Sequence, residues 1–391
     1  MIYNDIIKTH RTIILPNIAV KSKLGRYWNS AKDVVVAVTD LRARQGTFTT
    51  PWGAESDPLL TPPPFVTIPD SLSDLLDARA IELAAIAKIQ NKQILVWWSG
   101  GIDSTLVLSS FIKNLSASDL ELVTVLLSSE SITENPEFYK NFIHGRINCM
   151  PYLNFRLTND ALNNYIVLTG DPADCLFGPS ISMYRHLMPE GRHLLPFNDN
   201  RKLIANAIEL RNLALVKREN IEGFGNWYVD KISDNLLEVA PPGVETIADW
   251  WWWHYYNFKW EFSVWRPMLR RRCDGDEFAE IDDCNLESFA KNTFFNTDKF
   301  QQWSYTNLKT LIGNNIEGHK KQARDYILEL DKNQTYYNTK IKRESVPLYD
   351  NSKNRKLRRP ILWDKHWVGY FDFQHKDLLR ECIDRLENYK G

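Results

Sequence analysis

The 391-residue chain reads as a doubly wound α/β protein: a parallel sheet between helices, a helical C-terminal part and a small β-rich N-terminal segment. Three observations predict this. Apolar runs within 93–98, 121–127 and 164–170 have the form of strands buried on both faces. Helical stretches separate them, as the crossover between parallel strands requires. Beyond about residue 200 the strand signal stops and helical periodicity takes over.

Residues 1–70 hold short β-favouring runs, Thr12–Leu15 and Val34–Val38, and the prolines at 62–64 mark a boundary. A helix follows, capped by Ser71 or Ser73, with Leu72, Leu76, Ala80, Leu83 and Ala87 on one face. The strand at 93–98 leads to a helix from about 104 to 115 carrying Leu106, Val107, Ser110 and Phe111 on one side. Then come the strand at 121–127, a helix near 136–145 and the strand "NYIVLTG" at 164–170. Amphipathic segments follow at 201–220, 245–270, 297–312 and 318–331. A last helix at 374–391 places Leu378, Leu379, Cys382, Ile383 and Leu386 on one face. The expected organisation is an N-terminal segment (1–70), an α/β domain (71–200) and a mainly helical region (201–391) that closes over it.

Composition narrows the function. A net charge of −1 argues against nucleic acid or an anionic membrane as a partner held by bulk electrostatics. The basic runs Arg270–Arg272 and Lys356–Arg359 read as solvated or packed faces among acids and aromatics. The N-terminus lacks the form of a signal peptide, and no window reaches the length of a membrane span. The five cysteines are scattered without a CxxC pair, which argues against a disulfide framework, a zinc ribbon or an iron–sulfur site. A reducing, cytoplasmic location is expected.

The chemistry concentrates where "ILVWWSGGIDST" (94–105) breaks from strand to helix. Two glycines, Gly100 and Gly101, let backbone N–H groups turn toward a ligand. Ser99, Ser104 and Thr105 add hydroxyls at a helix start, whose positive end favours an anion. A bare anion site has no use for a carboxylate, so Asp103 implies a divalent cation between itself and the phosphates. The bland alternative is a tight strand–helix turn with Asp103 in the first helical turn. No lysine follows the glycines and no GxGxxG is present, which separates the loop from kinase-type and dinucleotide-binding loops.

"Ser99-Gly100-Gly101-Ile102-Asp103-Ser104" resembles the SGGxDS loop of the PP-loop ATP pyrophosphatases, which cleave ATP between the α and β phosphates. "LTGDPADCLFGPS" (168–180) is similar to the GDGxDExFxG segment of asparagine synthetases, β-lactam synthetases and lasso-peptide cyclases, with Pro172 for a glycine and Cys175 for a glutamate. "HKKQARDYILELDKNQTYYNTKIKRESVPL" resembles that group's KxxLR helix and following RxKxGFxxP, with Glu344-Ser345 replacing GF. The resemblance spans roughly 70–350 and implies an adenine nucleotide α-hydrolase-like fold with ATP and Mg²⁺ as cofactors. It implies phosphate binding by Ser99 to Thr105, Gly170 and Lys320, metal ligation by Asp103 and Asp174, and Lys342 with Asp103 at the reacting centre. Asp171 binds metal or shapes the loop, and Arg324 falls on the arginine of KxxLR.

Position 2 is isoleucine and the first cysteine is Cys149, so no glutamine-hydrolysing N-terminal domain is expected. The expectation is an AMP-forming carbon–nitrogen ligase that joins a small-molecule carboxylate to ammonia, an amine, or nitrogen from a separate amidotransferase or biosynthetic partner. Two other readings remain: a PP-loop enzyme modifying a nucleobase or tRNA, and a catalytically inactive ATP-binding scaffold. "DWWWWHYYNFKW" (249–260) reads as core rather than a stacking platform, with His254 a satisfied polar group. "CDGDEFAEIDDC" (273–284) reads as an exposed acidic turn, and "FFNTDKFQQWS" (294–304) carries no assigned role.

Overall fold

The computed structural model describes residues 48–49, 55–56, 66–152, 155–177, 191–213 and 216–339, with gaps at 218–219, 239, 261–262, 265–266, 268–280 and 314–319. The expectations for Thr12–Leu15, Val34–Val38, Pro62–Pro64, Arg270–Arg272, Lys342 and everything after it lie outside the described residues, as does most of the acidic turn. The earliest described elements are β1 (Phe48–Thr49) and β2 (Glu55–Ser56), which pair antiparallel.

Helix α1 (Leu72–Gln90) begins at Ser71, not Ser73. Asp74 N donates to Ser71 Oγ at 3.1 Å, and Ser71 N donates back to Asp74 Oδ2 at 3.2 Å, which satisfies two otherwise orphaned N–H groups. Strand β3 (Gln93–Trp97) follows, then α2 (Ile102–Asn114), β4 (Val123–Leu127), β5 (Asn148–Pro151) and β6 (Tyr165–Leu168). The four strands form one all-parallel sheet in the order β5-β4-β3-β6. Both α1 and α2 pack on β3 and on each other.

Three details depart from the sequence expectation. Helix α2 starts at Ile102, which brings Asp103 into its first turn. The helix expected near 136–145 is broken into α3 (Ser129–Glu134), a turn from Pro136 and a π-helical stretch, Tyr139–Ile143. Asn135 causes the break, because its side chain caps the new start from Phe138 N at 3.3 Å and Pro136 sits at the first helical position. Strand β5 was not anticipated: its residues are exposed or half-buried, so it lacks the continuous apolar run of β3 and β4.

The strand order has a functional consequence. From β3 the chain builds β4 and β5 to one side, then returns to place β6 on the other. Connections therefore reverse direction between β3 and β6, and in open parallel sheets ligands bind beyond the strand ends at that point. The loops after β3 and β6 both lie there.

The helical part packs against this unit through a continuous hydrophobic core from Leu72 to Tyr336. Its centre is α8, defined after α4 (Asn159–Asn164), α5 (Ala173–Leu176), α6 (Arg201–Arg211) and α7 (Phe224–Tyr228) as Ile247–Tyr255. Every residue of α8 is buried, including four consecutive tryptophans, so the core reading of this stretch holds. A π-helical segment, Tyr256–Trp260, continues it. Beyond come α9 (Asp283–Asn292), α10 (Asp298–Gly313), α11 (Lys321–Asp331) and α12 (Gln334–Thr339). Buried Arg79 of α1 holds the end of α9: its guanidinium donates to the carbonyls of Phe294 (3.2 Å), Lys291 (3.0 Å) and Thr293 (3.3 Å). Among the described residues no helix is long and apolar enough to cross a membrane.

Candidate phosphate and metal site

The loop from Trp98 to Thr105 is tied into one shape by its own side chains. Ser99 N donates to Ser104 Oγ at 3.0 Å, the two serine hydroxyls lie 3.0 Å apart, and Ser104 Oγ donates to Gly101 O at 3.3 Å. Gly101 caps α2 and makes no side-chain hydrogen bond to the N–H groups of its first turn. Gly100 adopts φ +73°, and a Cβ there would lie 2.3 Å from the carbonyl oxygen of Ser131 in α3, so only glycine fits. Thr105 differs from the expected role. It is fully buried and its Oγ1 accepts from the Trp98 indole at 3.0 Å, so this hydroxyl braces the back of the loop.

The second loop meets the first edge to edge. A Cβ on Gly170 would lie 2.7 Å from Ser104 N and 2.8 Å from Asp103 Cβ, so the absence of a side chain is what lets β6 end against the start of α2. Asp171 N donates to Thr169 Oγ1 at 3.2 Å, and the following Asp171–Pro172 peptide is cis. Short helix α5 then carries Asp174 toward Asp103, while Cys175 turns into the core. The loop's far side is anchored to the aromatic core: Ser304 Oγ of α10 donates to Leu176 O at 2.6 Å and accepts from the Trp252 indole at 3.0 Å.

Asp103 and Asp174 converge on one cation, the ammonium of Lys320. Its Nζ lies 2.5 and 2.7 Å from the two Asp103 oxygens and 2.5 Å from Asp174 Oδ1. Lys320 is buried and precedes α11 with φ +54°, its carbonyl accepting from Arg324 N at 3.0 Å. Burial raises the Asp103 carboxyl to about 6, against the pull of Lys320, with Asp174 and Asp171 adding to the rise. Burial on its own works to lower the Lys320 ammonium; the Asp103 and Asp174 charges outweigh it and hold the group above the ordinary lysine range. A second ammonium was not read from the sequence. Lys259, in the π-helical segment after α8, places Nζ 4.0 Å from Asp174 Oδ2. Its position within an aromatic run concealed it, since nothing in that run signals which side faces the loops.

Can these residues hold Mg²⁺? Among the described residues no group of three or more His, Cys, Asp or Glu side chains forms a metal cage. Two carboxylates that already share one cation do suit Mg²⁺, which is commonly held by one or two carboxylates with the rest of its shell from water and phosphate. The donor set therefore fits a metal that arrives on a nucleotide, with Asp103 and Asp174 as its protein ligands.

The structure thus brings together Ser99, Gly100, Gly101, Asp103, Ser104, Gly170, Asp174 and Lys320. Tyr336 of α12 joins them from the third sequence segment, its Oη donating to Gly100 O at 3.5 Å. Arg324 donates to Tyr337 O at 3.1 Å. Lys342 lies outside the described residues. No family model, curated protein or solved structure matches this chain.

Proposed function

We propose that the protein is an ATP-dependent, AMP-forming carbon–nitrogen ligase built on a PP-loop nucleotide fold. One observation carries this reading: two strand-end loops, joined at the reversal point of a parallel sheet, bring Asp103 and Asp174 onto a single shared cation. The sequence resemblance supplies the reaction class.

In this mechanism the N–H groups at the start of α2 and the Ser99 and Ser104 hydroxyls bind the departing pyrophosphate. Asp103 and Asp174 would hold Mg²⁺, which neutralises charge on the phosphate oxygens when bound. The substrate carboxylate attacks the α phosphorus, the bond to the bridging β oxygen breaks, and pyrophosphate leaves. The acyl adenylate then takes the nitrogen nucleophile, and AMP departs with the original carboxylate oxygen. Lys320 stands where its ammonium stabilises charge on the leaving phosphates, and Lys342 is assigned to the acyl transfer by resemblance. The nitrogen donor is ammonia or an amine, and the acceptor a small-molecule carboxylate. The buried aromatic wall behind α5 serves to keep water from the mixed anhydride.

The Lys320 ammonium also favours a second reading, a nucleotide-binding protein without turnover, because it occupies the place between the carboxylates. Nucleotide product analysis separates the two. Protein incubated with Mg–ATP, ammonia and fractionated metabolites is expected to yield AMP and pyrophosphate in one fraction, and none with Asp103→Ala. ADP and phosphate would overturn the adenylation chemistry, and binding without turnover in every fraction would select the second reading.

A further inference from the structure

The carboxylate pair is balanced by two lysines that arrive from different parts of the fold. Lys320 grips Asp103 and the Oδ1 side of Asp174, and Lys259 approaches Asp174 Oδ2. The two ammonium groups offset the charges of Asp103 and Asp174, and Asp171 stands near enough to Asp103 to add a further carboxylate to the site. A divalent cation bound to both aspartates needs oxygen contacts of about 2.0–2.1 Å. That places it where the Lys320 Nζ already sits, so metal and ammonium exclude one another. A bare divalent cation added beside both lysines would also leave the site with uncompensated positive charge in partly buried surroundings, which is unfavourable. A cation accompanied by the phosphates of a nucleotide would not.

The two lysines are differently held. Lys320 has close contacts to three carboxylate oxygens, and its carbonyl is fixed by Arg324 N, so its side chain alone has to swing. The Lys259 side chain is only 13% exposed, and among the described residues its contacts are the 4.0 Å pair with Asp174 and the Tyr255 ring at 5.5 Å. A half-buried ammonium beyond hydrogen-bond distance of its carboxylate retains donors for an anion. The π-helical segment that carries it departs from regular α geometry, as is frequent at functional positions.

We propose that Lys259 and Lys320 are exchangeable counter-ions, each passing from an aspartate to a phosphate oxygen when metal and nucleotide enter together. Lys259 is then a phosphate-contacting residue of the site, and the lysines keep bare divalent cations out. The proposal rests on the ATP-binding reading above.

The test is Mn²⁺ binding followed by electron paramagnetic resonance, with and without α,β-methylene ATP, on the full chain. In the wild type, Mn²⁺ binds at least about tenfold more tightly with the analogue than without it. Lys320→Met raises nucleotide-free Mn²⁺ affinity by about tenfold, and adding Asp103→Asn removes the gain. Lys259→Met weakens analogue binding about fivefold or more, and Lys259→Arg restores most of it, with melting temperatures unchanged. Unchanged Mn²⁺ affinity in Lys320→Met, or wild-type analogue binding by Lys259→Met, overturns the counter-ion proposal while the ligase reading stands. Failure of the wild type to bind the analogue with Mn²⁺ overturns both.

Discussion

Two regions of this protein bury titratable groups, and they do so by opposite means. At the junction of the β3 and β6 loops, buried Lys320 and half-buried Asp103 are held as charges and are balanced against Asp174 and Lys259. In the tryptophan core, His254 is taken out of water as a neutral ring: it lies against Trp250 and Trp251, shares a hydrogen bond with Tyr228 Oη, and burial depresses its pKa to about 3. Under the proposed function, balanced charge stands where a charged ligand is exchanged. Neutral burial is retained where the side chain only has to pack. The difference explains why two conspicuous sequence features, the glycine loop and the aromatic run, have different fates.

Substitutions on the two sides are expected to separate stability from binding. The largest effect falls in the core. Trp253 is fully buried and its indole donates to Leu236 O at 2.8 Å, so Trp253→Ala leaves a cavity and an orphaned carbonyl. Urea denaturation is expected to show a loss of about 3–5 kcal/mol. A loss under about 1 kcal/mol would show that α8 is not the structural centre.

Asp103→Asn is the counterpart at the loops. It preserves shape, and Lys320 keeps Asp174 as a partner. AMP formation is expected to fall by about 10²–10³-fold while the melting temperature moves far less than in Trp253→Ala. Equal losses in both measurements would erase the contrast between the regions.

Next in size is a pH effect confined to the core. His254 has a folded pKa near 3 against an ordinary 6.5, so between those values the unfolded chain binds a proton that the folded chain refuses. Its stabilising neutrality is complete above pH 6.5 and is lost as the pH falls from there toward 3. The expected slope is about 1.4 kcal/mol per pH unit within that window. His254→Phe should remove this component from the pH–stability curve; an identical slope in the variant would assign it elsewhere.

The smallest effect marks the surface baseline. Lys321 and Asp325 form an exposed i,i+4 pair at 2.7 Å on α11, next to Lys320 in sequence. Lys321→Ala should cost no more than about 0.5 kcal/mol in denaturation and leave nucleotide binding intact. A large loss of nucleotide binding would show that the start of α11 has a wider role than its buried lysine.

Much of the site is legible in the chain because its elements are local. "SGGIDS" places its glycines, serines and aspartate within one turn of each other, and a strand before and helix after are enough to orient them. The gaps have physical causes. Strand β5 escaped because an edge strand with exposed or half-buried residues has neither the apolar run nor the alternation that marks a covered one. Thr105 was grouped with the ligand-facing hydroxyls because sequence spacing does not show that Trp98 claims its oxygen from behind. Lys259 was hidden because the orientation of an aromatic helix is set by all its neighbours together.

The sequence by itself determined most of the elements: the strands β3, β4 and β6, the capped helix α1, the tight glycine turn before α2 and the burial of the tryptophans follow from residue type and short-range spacing. The tertiary structure alone decided the partnerships. The sheet order β5-β4-β3-β6 makes neighbours of loops some seventy residues apart, and the packing of α11 and the π-helical segment delivers Lys320 and Lys259 to the same two carboxylates. Hydrophobic patterning and capping act over a few residues, whereas the balance of buried charges depends on which distant groups the core packing brings within a few ångströms.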